Sequence, residues 1–212
     1  MRKKFHLKAN LVFLFFFASF LFYGFQIQTE EDKSIKEFNL GQTSKYSTLG
    51  LGKSQGLKIH FNYPKSWEAV DGERPHIVKK IVQPGGTVMA IIQIVQLDFE
   101  STQSEINQFF SNELQLMYPD YKIISVNNNM RIEGLRCGTV ECTKSAIRAN
   151  QNIYSHNFDF VTFYKNYQFS ILFMVVDKVG ESKEIVNDRF NKLKPLFSQM
   201  INSIVIDNIW EK

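Results

Sequence analysis

Residues Val88 to Val95 read VMAIIQIV and Phe169 to Val176 read FSILFMVV, and these two runs decide the fold. Successive side chains of a strand point to opposite faces, so a run that is apolar at odd and even positions alike needs cover on both sides of its sheet. Working outward, Ile77 to Gln83, Pro84-Gly85-Gly86 and Thr87 to Leu97 read as a hairpin. Pro presets the first turn position there, and Gly supplies the positive φ of the next. The second run closes another hairpin, Ile153 to Tyr164 with Gln168 to Val176, preceded by strands at Tyr121 to Asn127 and Leu135 to Arg148 and a turn at Asn150-Gln151-Asn152. Upstream, LKIHFNY (Leu57 to Tyr63) alternates apolar with polar and stops at Pro64, the pattern of a half-buried strand.

Two amphipathic helices can supply the cover. Thr102 with Glu105 makes a capping box, followed by Ile106, Phe109, Phe110, Leu114 and Met117 as an apolar stripe that ends at Pro119. The second begins near Ser182 and carries Val186, Phe190, Leu193, Phe197, Met200 and Ile204 in steps of three and four, with Pro195 inside it expected to kink or divide it. The fold class is therefore α+β, a central antiparallel sheet of about six strands with helices on both faces, an α/β/α sandwich. Ile91, Val95, Phe109, Phe169, Ile171, Phe190 and Phe197 are assigned to its core.

The chain of 212 residues is long enough for one such domain with appendages. Its formal charge of +4 is misleading. Arg2, Lys3, Lys4 and Lys8 precede every acidic residue, and without them the remaining 21 basic residues equal the 21 acidic ones. A neutral body gives no support to nucleic-acid binding, which needs clustered Lys and Arg in the folded part. That basic head leads into the apolar run Leu11 to Phe25 (LVFLFFFASFLFYGF) and then into the acidic TEEDK, so residues 1–28 read as an export signal or N-terminal membrane anchor. The run spans about 22 Å as a helix, short of the ~30 Å bilayer core, which favours cleavage. The scarcity of small residues at usable spacing favours retention. Either way, positive charge ahead of the run sends the body across the membrane. Residues 29–56 are polar and glycine-bearing and read as a linker, with a single domain over residues 57–212. GLGKS (Gly50 to Ser54) is no phosphate loop, because Ser47 stands where its first glycine belongs.

FNYPKSW (Phe61 to Trp67) after a short strand, Ile132-Glu133-Gly134 before a long one, the YKNYQFSILF hairpin (Tyr164 to Phe173) and the closing Ile201-Asn202-Ser203-Ile204 are similar in order and spacing to PsbP-like and DcrB-like exported domains. The resemblance covers about Leu57 to Ile206 and implies the same α+β sheet with helices on both sides. For function it implies an exported accessory or assembly protein, a class that includes an extrinsic photosystem II subunit. It carries over no catalytic residue, no metal ligand and no cofactor, and fold alone does not transfer activity.

The residues that could carry chemistry are few. Cys137 and Cys142 in CGTVEC lie in a compartment where thiols oxidise. On one continuous strand they stand about 17 Å apart and on opposite faces and read as small core or surface residues; a disulfide needs a turn at Gly138-Thr139, and a thiol-based role needs them adjacent and exposed. His60, His76 and His156 have no carboxylate, Cys or further His at ligand or triad spacing. A hydrolase would therefore have to assemble a dispersed site in a deep pocket. The irregular PKSWEAVDGERPH (Pro64 to His76) offers Trp67, Asp71, Arg74 and His76 as a contact surface for a protein partner; the alternative is that Trp67 tucks over the sheet edge while the charges stay solvated. The reading is an exported or membrane-anchored binding or assembly protein, periplasmic or at the outer face of the cytoplasmic membrane, with a dispersed-site hydrolase and a thiol role as alternatives.

Overall fold

The computed structural model describes residues 28–148, 151–178 and 180–211; the basic head and Leu11 to Phe25 lie outside them. In chain order the elements are helix α1 (Glu30–Asn39), strands β1 (Thr43–Ser47), β2 (Ile59–Pro64), β3 (Glu68–Asp71), β4 (Ile77–Val82) and β5 (Val88–Gln96), and helix α2 (Gln103–Gln108). Strands β6 (Lys122–Ile132), β7 (Leu135–Arg148), β8 (Gln151–Tyr164) and β9 (Tyr167–Val176), helix α3 (Lys183–Asn202) and the short β10 (Val205–Ile206) follow. Among the described residues seven strands make one antiparallel sheet in the order β3-β4-β5-β9-β8-β7-β6, and three make a second in the order β1-β2-β10. The architecture is thus the expected α+β, with one more strand in the large sheet than anticipated. Both apolar runs are neighbours at its centre, β5 against β9 from Val88↔Val175 to Gln96↔Tyr167. The β6–β7 hairpin closes on Glu133-Gly134, both at positive φ (+53° and +80°), as a tight two-residue turn that matches strand twist requires.

Residues 29–56 are folded, which corrects the linker reading. Thr29 caps α1 by accepting the Asp32 amide at 3.2 Å, and Glu30, Glu31 and Asp32 place negative charge at the positive end of the helix. β1 pairs with β2 from Thr43↔Pro64 to Ser47↔His60, and Tyr46 is buried there. Apolar patterning gave little warning, because the one fully buried residue of α1 is Ser34. Its hydroxyl donates to the Glu30 carbonyl (2.7 Å) and accepts from Trp67 Nε1 (2.8 Å) and Gln83 Nε2 (3.0 Å). A polar residue can anchor a helix when every hydrogen bond is made. The folded domain therefore includes residues 29–56 as well as the part from Leu57 onward.

The first face of the large sheet is covered by α3 and the small sheet. Phe190, Leu193, Phe197, Met200 and Ile201 enter the main core, with Phe197 stacked on Phe173 at 4.8 Å between ring centres. Helix α3 runs unbroken through Pro195, so the expected division does not occur. Pro195 and Asn191, whose carbonyl loses its partner, both lie on the exposed side, where that loss is least costly. The second face is covered by α2, a π turn (Phe109–Glu113) and a 3-10 turn (Leu114–Met117), which place Phe110, Leu114 and Tyr118 over Val140, Cys142, Val161 and Phe163. The π turn redirects the stripe, so that Tyr118 is 7% exposed and Met117 is 42% exposed. Among the described residues this cover serves β6 to β8 and reaches Leu97 just past β5. Ile91 and Val95 are consequently not core residues, a second correction: β5 buries Val88, Ala90, Ile92 and Ile94, while Val95 is 40% exposed and Ile91 half-buried. A run apolar on both faces does not say which face receives the better cover.

Candidate contact surface

Trp67 is withdrawn from the surface. It is 3% exposed, packed in the main core, and its indole N–H is spent on Ser34. The sequence placed it on an irregular loop, but the turn Trp67 N–H to Pro64 carbonyl (3.0 Å) folds it under α1. Asp71 at the end of β3, and Arg74 and His76 on its link to β4, do stand exposed. That link is held from several sides. Asp71 bridges to Lys79, Glu73 to Lys80 at 2.8 Å, and Lys53 Nζ reaches across to the carbonyls of Gly72 (2.5 Å) and Arg74 (3.4 Å). The Lys79 pairing and a lesser pull from Lys53 hold the Asp71 carboxyl below its usual range, after a small opposing desolvation. Gly72 is packed so tightly that a Cβ would stand 2.0 Å from the Ile77 carbonyl oxygen, and only glycine fits. Arg74 is thereby presented on a braced backbone with no ion pair among the described residues.

Cys137 and Cys142 sit on the continuous β7, facing the main core and the second-face core respectively, both as buried free thiols. No turn forms at Gly138-Thr139, where β7 keeps register with β8, so the local disulfide is ruled out by geometry. Burial pushes the thiols up, to about 11 for Cys137 and about 12 for Cys142, which makes them poor nucleophiles. The thermal midpoint should be the same with and without reductant. A fall on reduction equivalent to the 2–5 kcal/mol of a lost native disulfide would contradict this placement.

The structure assembles two histidine pairs that sequence spacing concealed. His60 Nδ1 lies 2.9 Å from Asp207, tying β2 to the C-terminal turn, and its cross-strand neighbour Ser47 has its hydroxyl occupied by the Leu49 amide. His156 is buried between β8 and α3, with Nε2 3.0 Å from Glu141 and Nδ1 2.8 Å from Asn187, and its ring stacks on Phe190 at 3.6 Å. Lys194 adds a contact to Glu141 at 2.5 Å. Both nitrogens of His156 are thus engaged by the fold. A cleft of about 340 Å³ is lined by the start of β8 and the end of β9 and contains none of the histidines. Among the described residues no three His, Cys, Asp or Glu gather as a metal site, and no helix is long and apolar enough to cross a membrane. A further pair, Asn157 and Asp159 on β8, is buried on the second face, and one oxygen of each has no hydrogen-bond partner among the described residues. Nothing in the local sequence distinguished it from an ordinary alternating strand.

This arrangement of a large antiparallel sheet, helices on both faces and a small sheet closing one side is a PsbP-like fold. Cyanobacterial PsbP (CyanoP) from Synechocystis sp. PCC 6803 superposes with a TM-score of 0.52 at 15% identity, over 77% of this chain and 92% of that one. The Saccharomyces cerevisiae Ran-binding protein Mog1p gives a TM-score of 0.48 at 12% identity, over 77% of this chain and 95% of that one. The protein-family models and the curated proteins compared with it contain no match.

Proposed function

We propose that this chain is an exported or membrane-anchored accessory protein without a catalytic centre, which binds a protein partner in the periplasm or at the outer face of the cytoplasmic membrane. The observation that carries the reading is the braced loop from Asp71 to His76. It offers a guanidinium without an ion pair among the described residues and an exposed imidazole on a braced backbone, while the buried His156 and Glu141 are tied to each other in a structural pair. Arg is among the residues that dominate protein interfaces, and a preorganised loop loses little entropy on binding. Export is supported by the charge asymmetry around Leu11 to Phe25.

Replacing Arg74 by Ala should weaken capture of the partner from intact membranes at least tenfold while the fold is unchanged, on the scale of about 2 kcal/mol for an interface anchor. Capture that is indifferent to Arg74, or a turnover abolished by His60→Ala or His156→Ala in a folded chain, would replace this reading with the dispersed-site enzyme. A reporter that works only in the cytoplasm, fused after Lys212, should be silent. Strong reporter activity would refute export.

A further inference from the structure

The second face of the large sheet changes character at β8. Toward β6 it is covered by Phe110, Leu114 and Tyr118. Toward β4 it presents Met89, Ile91, Leu172 and Met174, half-buried and belonging to neither hydrophobic cluster. At the boundary stand Asn157, fully buried, and Asp159, 6% exposed. Register puts Leu172 directly opposite Asp159 and Met174 directly opposite Asn157.

The polar pair is incompletely satisfied in a specific way. Tyr118 donates to Asp159 Oδ2 at 2.6 Å, and Asn157 Nδ2 donates to Ser155 at 3.1 Å. Asp159 Oδ1 and Asn157 Oδ1 have no hydrogen-bond partner, and Asp159 makes no ion pair among the described residues. Two buried acceptors side by side, one of them a carboxylate, are costly unless something donates to both. Burial holds the Asp159 carboxyl up to about 6, against the opposing pull of Tyr118 and the Phe160 amide, so at neutral pH the site carries an uncompensated negative charge.

We infer that this face is a second, separate docking site, which takes a lysine side chain of a protein partner between Asp159 and Asn157. The argument for lysine is geometric. A guanidinium gains its advantage from bidentate pairing with both carboxylate oxygens, and here Oδ2 is already held by Tyr118. What remains is one carboxylate oxygen and one amide oxygen, two single acceptors suited to a compact ammonium with rotatable donors. The four-carbon stem lies along Ile91 and Leu172, as lysine stems do on apolar surface, and the unbranched Met89 and Met174 can re-pack to admit it. The site stands whether or not the Asp71 to His76 loop makes the other contact.

The test uses the full chain labelled at its methionine methyl groups, titrated with a capped glycine pentapeptide carrying a central Lys, and with its norleucine and Arg counterparts. The Lys peptide should shift the Met89 and Met174 signals, with norleucine and Arg at least tenfold weaker. Asp159→Asn should lose at least tenfold in affinity for the Lys peptide. Leu172→Lys, which supplies an ammonium opposite Asp159 within the same sheet, should abolish binding and raise the thermal midpoint, so the assignment does not rest on one variant. Norleucine or Arg binding within twofold of Lys, unchanged affinity in Asp159→Asn, unimpaired binding by Leu172→Lys, or no shift at Met89 and Met174 would each overturn the proposal.

Discussion

Glu141→Ala should destabilise the domain by about 3–5 kcal/mol, the range for removing one partner of a buried ion pair. Glu141 is held by His156, by Lys194 and by the Ser125 hydroxyl at 3.2 Å, and the His156 and Glu141 side chains are 4% and 7% exposed. Lys194 keeps 41% of its side chain in solvent and can rehydrate, so most of the loss falls on His156, left between β8 and α3 with its remaining partner Asn187. The effect depends on pH in a definite direction. Burial pushes the Glu141 carboxyl up, but Lys194 and His156 together outweigh it, and the net displacement is below 4.5. A carboxyl depressed on folding contributes stability that is present above its unfolded value and lost as pH falls through the folded one. Denaturant unfolding should therefore show the full gap between wild type and Glu141→Gln at pH 7, closing as the pH falls below about 4.

Asp159→Asn should act in the opposite sense and stabilise the protein at neutral pH. Its carboxyl is raised from 3.8 to about 6, so the folded state binds the proton more tightly and wild-type stability falls as pH rises through that interval. Above about pH 6 the penalty is about 3 kcal/mol, which an uncharged isostere that still accepts from Tyr118 avoids. Besides Tyr118, Cys142 is the titratable group whose ionisation feels Asp159, and its thiol stays protonated across this range. Urea unfolding at pH 4 and pH 7.5 should give equal stabilities at the lower pH and a variant more stable by about 2–3 kcal/mol at the higher. A variant less stable at pH 7.5 would mean that Asp159 is compensated in the folded chain. A destabilising charge kept at the boundary of an apolar face is the kind of trade that binding sites make.

Periodicity revealed the sheet because VMAIIQIV and FSILFMVV are apolar on both faces, which marks central strands, although among the described residues packed elements cover only one of those faces. The β4–β5 hairpin was equally legible, since Gly85 marks positive φ. The limits have physical causes. Helix α1 hides because its anchor is Ser34, satisfied by Trp67 and Gln83 that only the fold brings near. Ile91 and Val95 were misassigned because alternation cannot say which face is better covered. Pairs such as Glu141 with His156, and Asp159 with Tyr118, join residues 15 and 41 positions apart. Their chemistry arises from register and from the π turn that swings Tyr118 inward, neither of which leaves a local motif. In the contact loop, Arg74 and His76 were recognisable by type, whereas Trp67 could be read either as a contact or as tucked over the sheet edge, and Pro64 and α1 place it inside.

The central claim is that the protein acts through a contact surface, and a photo-activatable cross-linker placed at position 74 in the full chain tests it most directly. On intact membranes, irradiation should give a discrete adduct with one partner from position 74 and none from position 124 on the exposed β6 edge. The same adduct should weaken when His76→Ala is added. No adduct from position 74, or equal labelling from both positions, would contradict the account.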